Sequence, residues 1–443
     1  MKTAITRLCL AATFLFPGFI AAQDDADAPP RIPDLPATVV TADLWRSAIA
    51  DVNASVTVLD SAELEEMGAD HFENLIPSLP NLTWTGGTAR PRFLQIRGIG
   101  ENSQFEGETP DASVRFLVDD LDFTGLGGVA GLFDVKQVEV LRGPQAGSFG
   151  ANASGGVVRV ETRDPTPVWQ GFARAGLGTD ATIETGLAVG GPLIADRPED
   201  LMFRLALHQH SSDGFQDNRE LEEDDTNERD EWMSRLKLRW DAPPDWTWDG
   251  TLFFADQDNG FDEFSLSNAD HETFSDEPGR DEQESLAGSL KGTWSGAAPY
   301  TFTLLANGTR TDSLYSFDAD WEDAADPRSF DGFNATERIR EVANLKLRLD
   351  SDEGTRGWID RWTAGAYFHY LDEETDVVFR QNKPFRFTET VASDYTVESA
   401  ALFGRVARDL SPDTRLILGL RGEYHSVEVS SGGTFVSDGG NSS

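Results

Sequence analysis

A glycine-studded segment constrains the fold of this chain more than any other stretch. Residues 138–156 read VEVLRGPQAGSFGANASGG, and the β-branched run VVRV follows at 157–160. The glycines of the segment are Gly143, Gly147, Gly150, Gly155 and Gly156. Glycines this close together indicate a backbone that adopts positive φ or passes near another surface. We therefore expect two strands joined by a loop that packs closely against a neighbouring surface.

Phosphate-binding interpretations of this segment fail. It contains no Gly-Lys-Ser/Thr sequence, so it is not a Walker loop. It leads into a β-branched run rather than a helix, so a dinucleotide-binding fingerprint lacks its structural context. No Ser/His/Asp or paired-carboxylate arrangement stands out elsewhere in the chain. The sequence predicts no catalytic residues, no enzyme activity and no cofactor.

The N-terminus is typical of a cleaved secretory signal. Lys2 and Arg7 supply positive charge, residues 8–20 are apolar, and small residues precede a cleavage site after Ala22. Thirteen apolar residues are too few to span a bilayer. The only cysteine, Cys9, lies in this segment. We expect a mature chain without thiols, disulfides or cysteine-bound metal.

Composition narrows the class of protein further. The formal charge of −40 argues against nucleic-acid binding, which requires a basic face. High charge and low hydropathy could suggest disorder, but 28 Phe and 11 Trp are too many aromatic residues for that. Beyond the signal, no apolar stretch approaches 18 residues, which excludes a helical membrane protein. An acidic, aromatic-rich, secreted chain without such a stretch is typical of an outer-membrane β-barrel.

From about residue 168 onward, apolar and polar residues alternate. In 201–210 the leucines and Phe203 share one face, while Arg204, His208 and His210 share the other. The same alternation occurs in 235–240, 362–369 and 415–421. Segments with this period of two fit a barrel wall with lipid outside and water inside. A soluble sandwich has the same period, so alternation alone does not decide between them.

Connection lengths favour the barrel. Tight turns at 241–245, 294–300 and 410–414 alternate with long acidic segments near 212–230, 257–284, 313–335 and 373–396. Short turns at one rim and long loops at the other are the outer-membrane pattern. About eleven strands can be placed, the last near 414–429, whereas a plugged receptor barrel needs about 22. We therefore expect a fragment that carries about half of a barrel.

Residues 138–156 resemble the end of the plug domain of TonB-dependent outer-membrane receptors, VEVLRGPQGxxYGxxAxGG. Ala146 replaces a glycine of that pattern and Phe149 a tyrosine. Residues 52–80 resemble the opening unit of the plug, a strand followed by two short helices, and 93–98 and 114–120 resemble its next strands. The resemblance implies a transmembrane antiparallel β-barrel, 22-stranded when complete, with an N-terminal mixed α/β plug in its lumen.

The implied domain order is a signal peptide at 1–22, a periplasmic leader at 23–38, a plug at 39–165 and the first half of the barrel at 166–443. A β-prone run at 37–42 resembles the TonB box, which adds as a strand to the periplasmic energy-coupling protein. Its candidate residues are Ala37, Thr38, Val39, Val40 and Thr41. The alternative is that this run is simply the first strand of the plug.

The resemblance also implies roles for two arginines. In the family, the arginines of the two Arg-Gly motifs pair with barrel glutamates and lock the plug; here these are Arg97 and Arg142. The alternative is a structural arginine exposed at a turn. The glycine loop would pack against the barrel wall.

The implied function is uptake of a scarce ligand, most often a ferric siderophore, powered through the TonB protein. The alternatives are uptake of an oligosaccharide, cobalamin or another metal chelate, and a passive barrel used for adhesion or diffusion. The implied protein is a monomer in outer-membrane lipid. The short leader leaves no room for a signalling domain, so we expect plain uptake.

Two weak metal patterns remain. Asp256, Asp258 and Asp262 have calcium-like spacing but lack the full twelve-residue loop. His208 and His210 share one strand face, although two ligands do not make a site and lumen-facing polar residues are the simpler interpretation. We expect no metal site.

Overall fold

The computed structural model describes residues 39–40, 45, 47–48, 52, 54–85, 93–101, 112–126, 129, 131–145, 149, 153–266, 271–322, 325–352, 358–411 and 414–437. The predicted signal peptide and the predicted leader lie outside these residues. In the described part of the chain, no helix is both long and apolar enough to cross a bilayer.

The N-terminal elements are short and mixed in type. They are β1 (Val39–Val40), β2 (Ser47–Ala48), β3 (Ser55–Asp60), α1 (Ser61–Glu66), a 3-10 helix (Phe72–Ser78), β4 (Leu82–Thr85), β5 (Phe93–Ile96), β6 (Val114–Val118), β7 (Leu121–Asp122), β8 (Val135–Arg142) and β9 (Gly156–Thr162). The residues from β3 to β9 are called the plug below.

Five of these strands form the plug sheet, in the order β3-β8-β9-β6-β7. Only the β6–β9 pair is parallel. The glycine-rich segment therefore joins two antiparallel neighbours, β8 and β9, as the sequence predicts. Buried apolar side chains, among them Phe72, Leu75 and Phe116, fill the space between this sheet and the helices.

The first plug helix, α1, has a capped N-terminus. The Asp60 carboxylate accepts hydrogen bonds from the backbone N–H groups of Ala62 and Glu63, and the Glu63 side chain accepts from the N–H of Asp60. This reciprocal arrangement is a capping box. The second helix is a 3-10 helix that continues through Pro77. Short 3-10 turns serve as connectors of this kind.

The rest of the chain is built almost entirely of long antiparallel strands. They are β10 (Gln170–Leu177), β11 (Ile183–Pro192), β12 (Leu201–Ser212), β13 (Gln216–Asn218), β14 (Glu223–Thr226), β15 (Arg229–Ala242), β16 (Trp246–Phe261), β17 (Glu272–Thr273), β18 (Gly279–Trp294), β19 (Tyr300–Asp318), β20 (Gly332–Ser351), β21 (Arg361–Gln381), β22 (Phe387–Ser411) and β23 (Thr414–Ser437).

Eleven of these strands form one sheet, which we call the wall. Its order is β10-β11-β12-β15-β16-β18-β19-β20-β21-β22-β23, so each strand pairs with the next long strand in the chain. This confirms the predicted number of barrel strands. The short strands β13, β14 and β17 form a separate three-stranded sheet above one rim.

The predicted alternation gives the wall two different faces. On β12, Met202, Arg204, Ala206 and His208 are buried, whereas the residues between them are more exposed. Leu252 on β16 and Leu286 on β18 are each 60% exposed on the outer face. The plug lies against the other face, so polar and small side chains point toward it and apolar side chains point away.

One apolar cluster crosses from the plug into the wall. It joins plug residues such as Phe123 and Phe133 with Ala188, Ala206 and Phe253 of the wall. The rings of Phe123 and Phe253 have centroids 5.1 Å apart. Small wall residues let the plug approach closely, as tight packing requires.

The connections correct one part of the sequence interpretation. The rim with short turns is as expected, at 243–245 and 295–299. However, β21 and β22 are 21 and 25 residues long, and only residues 382–386 separate them, so 373–396 is not a long loop. Acidic residues such as Glu374 and Asp376 lie on the exposed face of a continuing strand. A β-strand needs only about ten residues to cross a bilayer. The remaining residues of such a long strand can therefore face water on the outer side of the wall.

Candidate functional site

The plug is held against the wall by a buried ion cluster centred on Asp134. Its carboxylate accepts a hydrogen bond from Arg204 Nε of β12 at 2.7 Å. Arg235 of β15 donates from Nη2 to the carbonyl oxygen of Asp134 at 3.2 Å. All three side chains are at most 4% exposed. Losing one partner of such a cluster leaves an uncompensated buried charge, so the cluster fixes the position of the plug on these strands.

The neighbouring Phe133 docks into a gap in the wall left by a glycine. A Cβ atom at Gly186 of β11 would lie 2.3 Å from the Phe133 ring. The same ring stacks on His208, with centroids 5.0 Å apart. Phe133 and Asp134 together form an apolar and an ionic anchor at one end of the sheet. Alternation places Arg204 and Arg235 on the inner face, but nothing in the sequence pairs them with Asp134.

Lys237 of β15 forms a second tie, at the junction between plug and wall. Its Nζ lies 2.9 Å from a carboxylate oxygen of Asp164 and 3.6 Å from one of Asp119. The other role of Asp119 is inside the plug, where it accepts hydrogen bonds from the backbone and hydroxyl of Thr162. Burial opposes ionisation of Asp164, but Lys237 outweighs it and lowers the pKa of this carboxyl.

A third tie joins the plug to the middle of the wall through Arg115 of β6. Its Nη2 lies 2.6 Å from the Asp122 carboxylate, and its Nη1 donates to the carbonyl of Phe149 at 2.7 Å and to the hydroxyl of Tyr367 at 3.3 Å. Although burial disfavours the charged guanidinium, Asp122 raises its pKa above the ordinary arginine value. Tyr367 belongs to β21, so this network spans the interface.

A chamber of about 670 Å³ lies between the plug and the wall beside this network. Asp119 and Asp120 of the turn after β6 and Asp122 of β7 face it. Residues of six wall strands complete it, including Asp249, Lys291, Thr303, Lys346 and Tyr367. Burial opposes ionisation of Asp120, but Lys291 and Arg159 lower its pKa to about 2. The interior is therefore polar and highly charged.

Trp45 lines the same chamber, and the sequence interpretation did not single it out. Its Nε1 donates to the hydroxyl of Thr363 at 2.7 Å. The guanidinium carbons of Arg361 and Arg405 lie 4.7 Å and 5.0 Å from the indole centroid. Its position only three residues after the β-prone run 37–42 is the sequence feature that could have indicated it.

Part of the candidate TonB box is described. Val39 and Val40 form β1, which pairs antiparallel with β2. The Val40 side chain is fully buried and packs in a cluster with Leu141, Ala153 and Val157 of the plug. Ala37, Thr38 and Thr41 lie outside the described residues. In this conformation β1 is a short strand of the N-terminal domain, the arrangement named above as the alternative.

The two candidate lock arginines lie near each other in the plug. Arg142 donates from Nε to the carbonyl of Pro80 at 2.9 Å and from Nη1 to Thr57 at 2.8 Å. Arg97 is exposed, with φ at +56°. Burial, and secondarily the charge of Arg97, lowers the pKa of Arg142. Within the described part of the chain, neither arginine makes an ion pair with a carboxylate.

The described glycines at the two ends of the glycine loop lie close to the plug itself. A Cβ atom at Gly156 would lie 2.3 Å from the carbonyl oxygen of Leu141, and one at Gly155 would lie 3.0 Å from Val114. The loop contacts the wall instead through Phe149, whose ring lies 6.0 Å from Lys346 Nζ. Gly143 has φ of +97°. Gly147 and Gly150 lie outside the described residues.

The acidic residues with calcium-like spacing do not converge. Asp256 and Asp258 lie inside β16 on its exposed face, not in a loop. Asp262 is buried and accepts hydrogen bonds from Asn218, Thr226 and Thr273. His208 is bound to Glu184 at 2.9 Å. Among the residues described, no group of three or more potential ligand side chains could hold a metal ion.

Comparison with known proteins identifies relatives of this chain. Residues 48–157 match the family model of the TonB-dependent Receptor Plug Domain. The chain is 27% identical over 206 residues to the pesticin receptor of Yersinia enterocolitica, covering 46% of this chain and 29% of that protein. It is 28% identical over 159 residues to the vitamin B12 transporter BtuB of Vibrio vulnificus, covering 34% and 24%.

Solved structures share the fold. The ferric yersiniabactin uptake receptor FyuA of Yersinia pestis superposes with a TM-score of 0.69 at 17% identity, covering 86% of this chain and 61% of that one. The ferripyoverdine receptor of the outer membrane of Pseudomonas aeruginosa gives 0.68 at 13% identity, covering 90% and 56%. The chain thus spans less than two thirds of the length of these relatives. The wall and the plug share the fold of these solved receptor structures, and residues 48–157 are identified as a plug domain of the TonB-dependent receptor family.

Proposed function

We propose that this protein is an outer-membrane receptor that imports a scarce ligand, a ferric siderophore, with energy delivered through TonB. The observation that carries the proposal is the plug anchored on the inner face of the wall by the Asp134, Lys237 and Arg115 ties. A wide barrel needs a stopper. A stopper held by buried charges supports gated import rather than free diffusion.

The two faces of the wall support the membrane location. Exposed leucines cover the outer face, and aromatic side chains gather at the rim with short turns. There, Trp246 stacks on Trp248 with centroids 5.2 Å apart, and Trp294 lies 5.8 Å from Tyr300. An apolar band ended by an aromatic girdle is the outer surface of an outer-membrane barrel. We place this rim on the periplasmic side, with the signal peptide cleaved after Ala22.

The ligand class rests on the relatives. Two structural neighbours are receptors for ferric yersiniabactin and ferripyoverdine, which favours a ferric siderophore. The similarity to a vitamin B12 transporter supports cobalamin as the second candidate.

Coupling would use the run 37–42 as the TonB box. In the described part of this run, two residues of β1 pair with β2, and these pairs would have to break before the run could add to another protein as a strand. We also propose that Arg97 and Arg142 are lock residues that receive barrel glutamates. The Nη2 atom of Arg142 is buried and makes no hydrogen bond to any described residue, which supports this role.

Uptake of radioactive iron tests the proposal. The receptor is expressed in cells that lack their own siderophore receptors, with and without TonB, and supplied with a panel of ferric siderophores and with labelled cobalamin. We expect accumulation of iron from at least one siderophore, only when the receptor and TonB are both present. Uptake of cobalamin alone would show that cobalamin rather than a ferric siderophore is the ligand, and it would leave the proposed TonB-dependent mechanism unchanged.

A passive barrel predicts a different result. Small sugars would then enter liposomes that contain the intact receptor, and the liposomes would swell without TonB. Such swelling would contradict a sealed lumen and with it the proposed import.

A further inference from the structure

We propose that Lys291 and Lys346 of the wall form an oxyanion site in the chamber beside Arg115. The site takes a carboxylate or a phosphate group, and the group that enters displaces the Asp120 carboxylate of the plug from Lys291. An anionic group of an imported ligand and a free phosphate ion share this chemistry. Use of the site by an imported ligand rests on the proposed import function, whereas the site itself does not.

The register of the wall places the two lysines on either side of one residue. Leu305 of β19 pairs with Lys291 of β18 and with Lys346 of β20, and all three line the chamber. Thr303, two residues from Leu305 on the same face, lines the chamber in the next row. Two strand spacings put the Cα atoms of the two lysines about 10 Å apart. Their long side chains can therefore converge on one small anion above Leu305.

The ammonium group of Lys346 has no carboxylate partner among the described residues. Its Nζ lies 6.0 Å from the centroid of the Phe149 ring and 5.7 Å from that of Phe403. Within the described part of the chain, no carboxylate oxygen lies within 4.0 Å of this Nζ, and the group donates no hydrogen bond. Ring faces attract a cation but do not accept its three N–H donors as an oxygen does. An oxyanion would supply both the counter-charge and the acceptors.

The Asp120 carboxylate is held near Lys291 loosely enough to be displaced. Its Oδ2 lies 3.7 Å from Lys291 Nζ, and its Oδ1 lies 3.7 Å from Arg159 Nη2. Both distances exceed those of a hydrogen bond, and the side chain is 28% exposed. By contrast, Asp122 lies 2.6 Å from Arg115 in a buried ion pair. An entering anion can therefore replace the Asp120 carboxylate at Lys291 while the tie made by Arg115 stays in place.

The lining of the chamber favours an anion over a cation. Among the described lining residues, basic side chains outnumber acidic ones, although the whole chain is strongly acidic. Each described acid of the lining already has a basic partner, in the pairs Asp119–Lys237, Asp120–Lys291, Asp122–Arg115, Asp249–Arg239 and Asp350–Arg348. The volume of about 670 Å³ lies in the usual range of about 300–1,000 Å³ for small-molecule pockets. The chamber therefore has room for a hydrated anion and a surplus of positive charge to attract it.

Charge-selective thiol labelling tests the site without knowledge of the cargo. Thr303→Cys places a reporter in the chamber of the intact receptor in outer-membrane fragments, with any other mature cysteine replaced by serine. The probes are methanethiosulfonates of similar size that carry a negative charge, a positive charge or no charge. We expect Lys346→Met to lower the ratio of the negative to the positive labelling rate about fivefold, because removal of a nearby unit charge changes the two rates in opposite directions.

Two variants control this measurement. Lys346→Arg keeps the charge and should keep the ratio. Lys383→Met removes a lysine from the turn between β21 and β22, at the opposite rim, and should also leave the ratio unchanged. Because the two rates are compared at the same thiol, a general change in access cancels. An unchanged ratio in Lys346→Met would overturn the proposal.

Protection by inorganic phosphate tests occupancy of the site and displacement of Asp120. Labelling of the reporter by the uncharged reagent is measured with rising phosphate, and chloride keeps the ionic strength constant. We expect phosphate to slow labelling, and we expect Lys346→Met to abolish this protection. Asp120→Asn should need several times less phosphate, because a competing negative charge is removed. Asp196→Asn, at an exposed position, should match the wild type. Lack of protection in the wild type, or an unchanged phosphate requirement in Asp120→Asn, would contradict the proposal.

Iron uptake distinguishes the two sources of the oxyanion. The probe is a ferric siderophore with free carboxylate groups, supplied to cells that contain the receptor and TonB. A fall in uptake with Lys346→Met, but not with Lys346→Arg or Lys383→Met, would assign the site to the imported ligand. Equal uptake by all of them would assign it to free phosphate. If no ferric siderophore enters even through the wild type, the proposed import function fails, while the labelling ratio and the phosphate protection still decide whether the site exists.

Discussion

Single charged residues at the interface determine where the plug sits. The chain as a whole is strongly acidic, yet the inner face of the wall presents Arg204, Arg235 and Lys237 to carboxylates of the plug and of the junction after it. In a buried setting each such charge needs its partner, so the pattern specifies one docking position. In the pairs made by Arg204 and Arg235, the plug carries the acid and the wall carries the base.

Replacing Asp134 by asparagine should loosen the plug by about 3 kcal/mol, because Arg204 and Arg235 would remain buried without their counter-charge. The urea midpoint of plug unfolding, followed by near-ultraviolet circular dichroism, measures the loss. Asp196→Asn, at an exposed position in the connection after β11, is the matched control. Equal midpoints for the two variants would contradict the anchoring role of Asp134.

Acid should weaken the plug through Asp120. Its pKa is lowered from 3.8 to about 2, so its ionised form stabilises the folded state fully above about pH 4, and that contribution is lost as the pH falls toward 2. The urea midpoint measured at pH 6, 4 and 3 should therefore fall more steeply in the wild type than in Asp120→Asn. Parallel slopes would show that Asp120 does not contribute to this pH dependence.

Among the elements, the wall strands carry the clearest sequence signal and the interface the weakest. Alternation predicts β12, β15, β21 and β23, because each strand has one face toward lipid and one toward the lumen. Alternation does not predict where a strand ends when acidic residues lie on the water-exposed outer face of its last part, as in β21 and β22. The sequence also does not predict the partners of Asp134 and Trp45. Each of these contacts joins residues that are far apart in the chain, and no local sequence pattern indicates such pairs.

The gap at Gly186 tests how strands and plug fit together. Gly186→Val should displace the Phe133 ring and lower the stability of the plug by about 1–3 kcal/mol through overpacking. Gly250→Val on β16 is the matched control, because no atom lies within 4 Å of a Cβ there. The urea midpoint of plug unfolding is compared between the two variants, and it should fall only for Gly186→Val. If both variants match the wild type, Phe133 does not depend on the gap.

At the scale of the whole molecule, a charged plug is enclosed by a sheet whose apolar face points outward. The plug resemblance predicts both parts, and the structure adds how they are joined. Buried ion pairs keep the plug in place, and a chamber of about 670 Å³ lies between the plug and the wall beside Arg115.

The most direct test of this account is the environment of spin labels placed one at a time along β16 in the intact receptor in bilayers. Labels at Leu252 and Phe254 should be accessible to oxygen dissolved in lipid, whereas labels at Thr251, Phe253 and Ala255 should be shielded by the plug from both lipid and water. Loss of this alternation, or water at Leu252, would contradict a membrane-spanning wall with the plug on its inner face.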